Sequence, residues 1–282
     1  MTDDTLTIVS AASVSLEAYA AAFTESFQDY HHPVALDAAA LARRVRLEQY
    51  DLENSLLALD GGEAVGVAAL AVRGERGWVA GLAVVPGRRG RGLGRALTSA
   101  VVARARGCGL RLLSLDVLAV NHSARRLYER SGMSVARDLL VFERPADYAA
   151  CGGGGAARRP ALGEAPAAEL LEGHFARLHS ARPAWQREPS SLLAANLRGL
   201  HLGPRRRPRA YSLVVHNRDG NTYLADLAAA DAAQADALCA ALSAVPGPLR
   251  VVNEPEQSLF VAALRAHGFK EVLRQHEMVM EL

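Results

Sequence analysis

The stretch from Leu82 to Leu97 constrains the fold of this chain more than any other segment. It predicts an apolar strand that ends at Pro86, a loop that contains Gly90, Gly92 and Gly94, and the start of a helix. Glycines let backbone N–H groups converge because no Cβ obstructs them, and the first turn of a helix adds further unpaired N–H groups. Such a strand-loop-helix unit predicts an anion-binding turn of the kind that holds a pyrophosphate.

Other nucleotide-binding loops do not fit this spacing. No further glycine follows at the interval that dinucleotide-binding proteins use, and no Gly-Lys-Ser/Thr ends the loop. A helix N-terminus alone contributes only about 0.3–1 kcal/mol at an exposed site, so we expect Arg89, Arg91 and Arg95 to add charge-assisted contacts. The alternative from the residues alone is a structural turn with solvated arginines.

Hydrophobic periodicity predicts the order β-α-α-β-β-β-α-β-α-β for residues 5–142, an α/β layered domain. The length of 282 residues favours two domains, and four glycines at 152–155, followed by Pro160, indicate a flexible connection. We therefore predict a first domain over residues 1–146, a Gly-rich linker over 147–165 and a second domain over 166–282.

The second half repeats part of this order, with a hairpin, a helix, a strand, a helix and a last strand between residues 211 and 280. Sliding one half on the other by 136 positions superposes Gly268 on Gly132. The repeat has lost the anion-binding turn, because the segment from Ala228 to Asp236 contains neither glycine nor arginine. We therefore expect a degenerate copy of the first domain.

A second motif, Asn-x-x-Ala-x-x-Leu-Tyr-x-x-x-Gly, covers Asn121 to Gly132. Together with Arg-x-x-Gly-x-Gly over Arg89 to Gly94, it resembles the acetyl-CoA-binding core of the GNAT superfamily of N-acetyltransferases, across roughly residues 5–144. The resemblance implies an α/β fold with a GNAT-type mixed sheet flanked by helices. The second half resembles the smaller GNAT-like α/β domain of tandem GNAT proteins.

The resemblance implies a role for each motif. Backbone groups of the strand before the loop would bind the pantetheine arm of acetyl-CoA, the co-substrate, and the loop would bind its pyrophosphate. Tyr128 would be the general acid for the departing thiolate, and Asn121 would contact the pantetheine. From the residues alone, Asn121 is equally a helix N-cap and Tyr128 a core aromatic. The cofactor-binding residues are then Leu82, Ala83, Val84, Arg89, Gly90, Arg91, Gly92, Leu93, Gly94, Arg95 and Asn121.

The amine acceptor must lose a proton before it attacks, so a general base is expected. Asp116 is our candidate, and the alternative for it is a structural carboxylate paired with an arginine. The loop after the first helix would bind the acceptor through Phe27, Asp29, Tyr30 and His31. The alternative is a solvated polar loop, and we expect no metal.

These observations predict an enzyme that transfers an acetyl group from acetyl-CoA to a primary amine of a small molecule or peptide by direct attack. The alternative is a non-catalytic acyl-CoA-binding sensor or scaffold. With 32 basic and 30 acidic residues, the chain is no general polyanion binder, so we expect no nucleic-acid partner. The acidic N-terminus and the lack of a long apolar run predict a cytoplasmic protein without a membrane partner. We expect a monomer or homodimer.

Overall fold

The structure is a computed structural model that describes residues 6–30, 34–146, 160–216 and 220–282. The chain divides into two compact units, the first comprising Met1–Ala136 with His276–Leu282 and the second comprising Arg137–Gln275. The predicted boundary at residue 146 stays a prediction, because residues 147–159 of the expected linker lie outside the described residues.

The helices and strands follow the predicted order over residues 6–144. In chain order they are β1 (Leu6–Ser10), α1 (Leu16–Ser26), α2 (Ala38–Glu48), β2 (Leu56–Asp60), β3 (Glu63–Arg73), β4 (Arg76–Val84), α3 (Leu93–Gly107), β5 (Leu112–Leu118), α4 (His122–Arg130), β6 (Ser134–Arg144), β7 (Gly163–Pro166), α5 (Ala167–Leu178), α6 (Pro189–Ala194), β8 (Arg198–Leu202), β9 (Ala210–His216), β10 (Thr222–Ala229), α7 (Ala232–Leu242), β11 (Leu249–Pro255), α8 (Phe260–Ala266) and β12 (Lys270–Glu281). Among the described residues, none of the helices combines the length and hydrophobicity needed to cross a membrane.

The sheet of the first unit has the strand order β1-β2-β3-β4-β5-β12. β4 pairs with β3 in antiparallel fashion and with β5 in parallel, but the parallel pairing ends at Val79 and Leu115. Ala80 is a bulge in β4, since Val79 pairs with Leu70 and Gly81 with Ala69. A bulge bends its strand. Beyond this point β4 no longer pairs with β5, and the two strands leave an opening in the sheet.

The second unit repeats this geometry. Its strand order is β6-β11-β10-β9-β8-β7, and β10 pairs in parallel with β11 only from Thr222 to Leu224. A register shift follows directly after Leu224. Gly132 after α4 and Gly268 after α8 both have positive φ, at 96° and 81°. The structure therefore supports the internal repeat.

The residues from 163 to 202 contain elements that the sequence pattern did not predict. β7 and β8 are short, β7 ends in Pro166, and α6 spans little more than one turn. Strands and helices of this length show too few periods for a pattern to stand out, whereas α5, with 12 residues, was long enough and was missed.

The C-terminal strand completes the core of the first unit. Met278 is fully buried there and Met280 is nearly so, and both pack with Leu113, Leu115 and Tyr128. A fragment that ends at residue 146 lacks both methionines, so its core is incomplete.

We therefore expect Met278→Ala to lower the free energy of unfolding of the first unit by about 2–5 kcal/mol, the usual cost of truncating a buried long side chain to alanine. Of the two tryptophans, Trp78 lies in the first unit and Trp185 in the second, so urea unfolding followed by Trp78 fluorescence in a Trp185→Phe background isolates the first unit. Val272→Ala is the matched control, because Val272 lies on the same strand and is 49% exposed. Equal effects of the two substitutions would contradict this account of the core.

Candidate active site

A cavity of about 620 Å³ lies in the first unit. Its wall combines the end of α1, the end of β4 that pairs with β3 but not with β5, the loop before α3 and the first turns of α4. The lining residues are Ser26, Phe27, Asp29, Tyr30, Leu82, Ala83, Val84, Arg89, Gly90, Gly94, Val120, Asn121, His122, Ser123, Ala124, Leu127 and Tyr128.

The loop between β4 and α3 has the backbone of an anion-binding turn. Gly90 and Gly92 have φ of 77° and 84°, in the left-handed region that favours glycine. Gly92 is the N-cap of α3, and no side chain caps the N-terminal N–H groups of that helix. By contrast, Ser15 caps α1 and Asp37 caps α2 through their side chains. The uncapped N–H groups and the positive end of the α3 dipole fit a phosphate group.

The three arginines that were predicted to contact the anion, at positions 89, 91 and 95, differ in their contacts. Arg91 and Arg95 are exposed, and neither forms an ion pair with a described residue. Arg89 is engaged instead: its Nε donates to the Val84 carbonyl at 2.9 Å, and its Nη2 donates to the Ser26 carbonyl at 3.3 Å. Arg91 and Arg95 therefore have their charges available to an anion, whereas Arg89 ties α1 to the end of β4.

Asp29 is the main partner of Arg89. Its two carboxylate oxygens accept hydrogen bonds from Nη1 and Nη2, both at 2.8 Å. This bidentate contact lowers the pKa of Asp29. The charge of Asp29 is thus compensated within the protein, so this carboxylate does not offer the unpaired negative charge that the sequence suggested for binding an amine.

Tyr128 lies on α4 with its side chain buried in the core and its edge on the cavity. Burial raises the pKa of Tyr128, and nearby Tyr30 raises it further. The hydroxyl is therefore neutral at physiological pH and able to donate a proton. No described residue forms a hydrogen bond with it. Tyr128 is thus a core aromatic that lines the cavity, and its role as general acid stays a prediction.

Asn121 is the N-cap of α4. Its Oδ1 accepts hydrogen bonds from the Ala124 N–H at 3.1 Å and the Ser123 hydroxyl at 3.0 Å. The N-cap interpretation is confirmed. Asn121 also lines the cavity, and its side chain forms a hydrogen bond with Tyr30. Burial raises the pKa of Tyr30, and this hydrogen bond lowers it by a smaller amount.

The structure brings most of the predicted site residues to one cavity. Those that line it are Phe27, Asp29, Tyr30, Leu82, Ala83, Val84, Arg89, Gly90, Gly94, Asn121 and Tyr128. Those that do not line it are Arg91, Gly92, Leu93, Arg95 and Asp116, and His31 lies outside the described residues.

Sequence reasoning missed Ser26, Val120, His122, Ser123, Ala124 and Leu127. Ala124 and Leu127 belong to the motif that was quoted for Tyr128, and helical spacing from Asn121 places Ala124 and Tyr128 on the same face of α4. That spacing was a usable signal. Ser26 gave none, because one serine near the end of an amphipathic helix is unremarkable in sequence.

The equivalent opening in the second unit is filled by charged side chains. Arg187 reaches into it and forms ion pairs with Asp226 of β10, at 3.1 Å, and with Glu254 of β11. The Tyr211 hydroxyl donates a hydrogen bond to Asp226 at 3.0 Å. Burial lowers the pKa of His179, but its hydrogen bond with Asp226 and the charge of that carboxylate outweigh burial, so the pKa is raised. The residual cavity beside this cluster is only about 10 Å³. The second unit therefore has no room for a pantetheine arm at this place.

Comparison with known proteins agrees with this geometry. The model of the acetyltransferase (GNAT) family matches residues 16–133. No curated protein matches the sequence. A tandem GNAT protein from the clavulanic acid biosynthesis pathway, solved without acetyl-CoA, superposes with a TM-score of 0.71 at 16% identity, covering 98% of each chain.

A GCN5-related N-acetyltransferase from Sphaerobacter thermophilus superposes with a TM-score of 0.66 at 16% identity, covering 98% of this chain and 95% of that one. The predicted fold, a GNAT-type mixed sheet followed by a second GNAT-like part, is confirmed by these likenesses. The reaction of the matched family is acetyl transfer from acetyl-CoA. Residues 16–133 thus match the model of the GNAT acetyltransferase family, and the chain as a whole has the fold of a tandem GNAT protein.

Proposed function

We propose that the first unit transfers the acetyl group of acetyl-CoA to a primary amine of a small molecule or peptide by direct attack on the thioester. The observation that carries the proposal is that one cavity joins the end of β4 that has no partner on its β5 side, the uncapped N-terminus of α3 and Tyr128. A sensor would need the first two features only. A proton donor is required when a thiolate leaves.

Leu82, Ala83 and Val84 supply the backbone groups for the pantetheine arm, because the β5 side of this part of β4 has no strand partner. The first turn of α3, with Gly90 and Gly94 on the cavity and Arg91 and Arg95 beside it, receives the pyrophosphate. Acetyl-CoA, when bound there, supplies an activated acyl group whose thioester lies toward Tyr128.

The amine nitrogen forms a bond to the acyl carbon while the bond from that carbon to sulfur breaks. Tyr128 donates its hydroxyl proton to the sulfur and regains a proton from solvent. Asp116 does not line the cavity, so we assign it removal of the amine proton through an intervening water molecule. Asp116 follows Leu115, at which the β4–β5 pairing ends, and strand alternation places it on the face opposite Leu115 and Val117.

The first test concerns the phosphate turn. Gly94→Glu puts a carboxylate at the first turn of α3. A Cβ there meets only Leu127, at 3.4 Å, so the protein accommodates the side chain. The new negative charge repels the pyrophosphate. We expect the Kd for acetyl-CoA to rise at least about 100-fold, since two like charges about 4 Å apart repel by about 1–4 kcal/mol per pair. Gly87→Glu is the control, because Gly87 has open space around it and does not line the cavity.

Calorimetry with acetyl-CoA on the same proteins also gives the stoichiometry. We expect one molecule bound per chain, because Arg187 and its two carboxylate partners fill the equivalent opening of the second unit. Two sites per chain, or equal weakening by Gly87→Glu, would refute this placement of the co-substrate.

The second test separates enzyme from sensor. Tyr128→Phe removes the proton and keeps the buried ring, so we expect kcat to fall by about 100-fold, the lower end of the range for a positioned general acid, with the Kd for acetyl-CoA changed less than about tenfold. The measurement is free-thiol release with an accepted amine, followed by calorimetry. Unchanged turnover would remove Tyr128 from the mechanism. Thiol release with no amine from a panel of amino acids, polyamines, aminoglycosides and peptide N-termini would favour the sensor.

A further inference from the structure

The wall that α1 contributes to the cavity consists of Ser26, Phe27, Asp29 and Tyr30, and we call it the α1 wall. Among the described residues that line the cavity, Asp29 is the sole carboxylate. Its two oxygens are both held by Arg89, as described above. A bound cation would have to compete with a bidentate guanidinium for this carboxylate, so the α1 wall presents no uncompensated negative charge.

The aromatic rings of this wall are fixed by packing. Phe27 stacks on Phe23 with centroids 4.8 Å apart, and Tyr30 meets Phe27 edge-on at 5.4 Å. The rings pack against β4 at Gly81, where a Cβ would lie 2.7 Å from Phe23. The wall therefore offers a rigid apolar surface beside the strand that would carry the thioester.

One polar atom of the wall is unsatisfied. Ser26 is 1% exposed, and its Oγ has no hydrogen-bond partner among the described residues although the residue lines the cavity. Two other hydroxyls in or next to a helix bond to the carbonyl four residues earlier: Thr98 to Gly94 at 2.8 Å and Ser131, which follows α4, to Leu127 at 2.9 Å. A buried hydroxyl without a partner costs about 1–3 kcal/mol, and a ligand atom recovers it once rotation about the Ser26 Cα–Cβ bond turns Oγ toward the cavity.

We propose that the acceptor is a monoamine whose remaining body is uncharged and carries a hydroxyl or another neutral polar group, and that Ser26 Oγ binds this group. The inference rests on the proposed function and narrows its substrate class. A second ammonium on the acceptor would lose its hydration against an apolar wall whose carboxylate is already paired. A neutral polar group would satisfy Ser26, and an alkyl group of equal size would not.

Three amines of equal length test this class, since they differ only in the last heavy atom: 4-amino-1-butanol, n-pentylamine and 1,4-diaminobutane. We measure kcat/KM for each by thiol release at saturating acetyl-CoA. We expect the amino alcohol to exceed n-pentylamine by about 3–10-fold, the value of one net hydrogen bond. We expect the diamine to fall below n-pentylamine by about tenfold or more, because its second charge is desolvated without a partner.

Two variants assign the preferences to residues. Ser26→Ala should abolish the advantage of the amino alcohol and leave n-pentylamine unchanged. Arg89→Gln should leave the Asp29 carboxylate unpaired and raise the ratio of diamine to n-pentylamine at least about threefold, since an exposed ion pair contributes up to about 1 kcal/mol. Any loss of acetyl-CoA binding in this variant affects all three amines alike, so it cancels in the ratios of their kcat/KM values.

Arg88→Gln is the matched control. Arg88 precedes Arg89 in the same loop and is also ion-paired, with Asp60 at 2.8 Å, but it does not line the cavity. All three ratios should stay at their wild-type values in this variant.

A diamine that equals or exceeds n-pentylamine would overturn the substrate class while leaving acetyl transfer intact. An amino alcohol without advantage, or an advantage that survives Ser26→Ala, would overturn the role of Ser26. If other amines are acetylated and none of these three is, the inference fails and the proposed function stands. If no amine releases thiol, the proposed function itself fails.

Discussion

The end of parallel pairing between β4 and β5, at Val79 and Leu115, is the constraint on which the rest of the first unit depends. The bulge at Ala80 turns β4 away, and the absence of a side chain at Gly81 lets the aromatic rings of α1 pack against the strand. The opening then meets the uncapped start of α3 and the face of α4 that carries Tyr128. Backbone geometry therefore forms the cavity, and a few side chains supply its polar and ionisable groups.

The second unit shows what else the same geometry permits. β10 and β11 end their pairing at Leu224 and Val251, and Arg187 occupies the space with two carboxylates around it. Charged side chains are stable in such a buried site only when their partners are present. Loss of one partner typically lowers the free energy of unfolding by about 3–5 kcal/mol. The cluster thus holds the second opening closed, and the repeat has diverged into one half that can receive a ligand and one half that is filled.

The sequence predicted features that depend on local patterns. The Gly-rich turn, the N-cap at Asn121 and the face of α4 with Tyr128 follow from spacing along a single element, and the structure has all three. It did not predict features that depend on distant partners. Arg89 meets Asp29 across 60 positions of the chain, and Met278 enters the core of the first unit from the opposite terminus. Such contacts leave no periodic pattern in the sequence, because they are determined by tertiary packing alone.

If the ligand binds only in the opening of the first unit, hydrogen exchange with and without acetyl-CoA, read by mass spectrometry on the wild-type chain, shows it directly. Amides that bond to a ligand or lose access to water exchange more slowly. We expect protection within residues 82–95 and 120–128, with the segments 224–236 and 251–260 unchanged. Protection of those segments of the second unit, or none around residues 90–94, would show that this placement of the ligand is wrong.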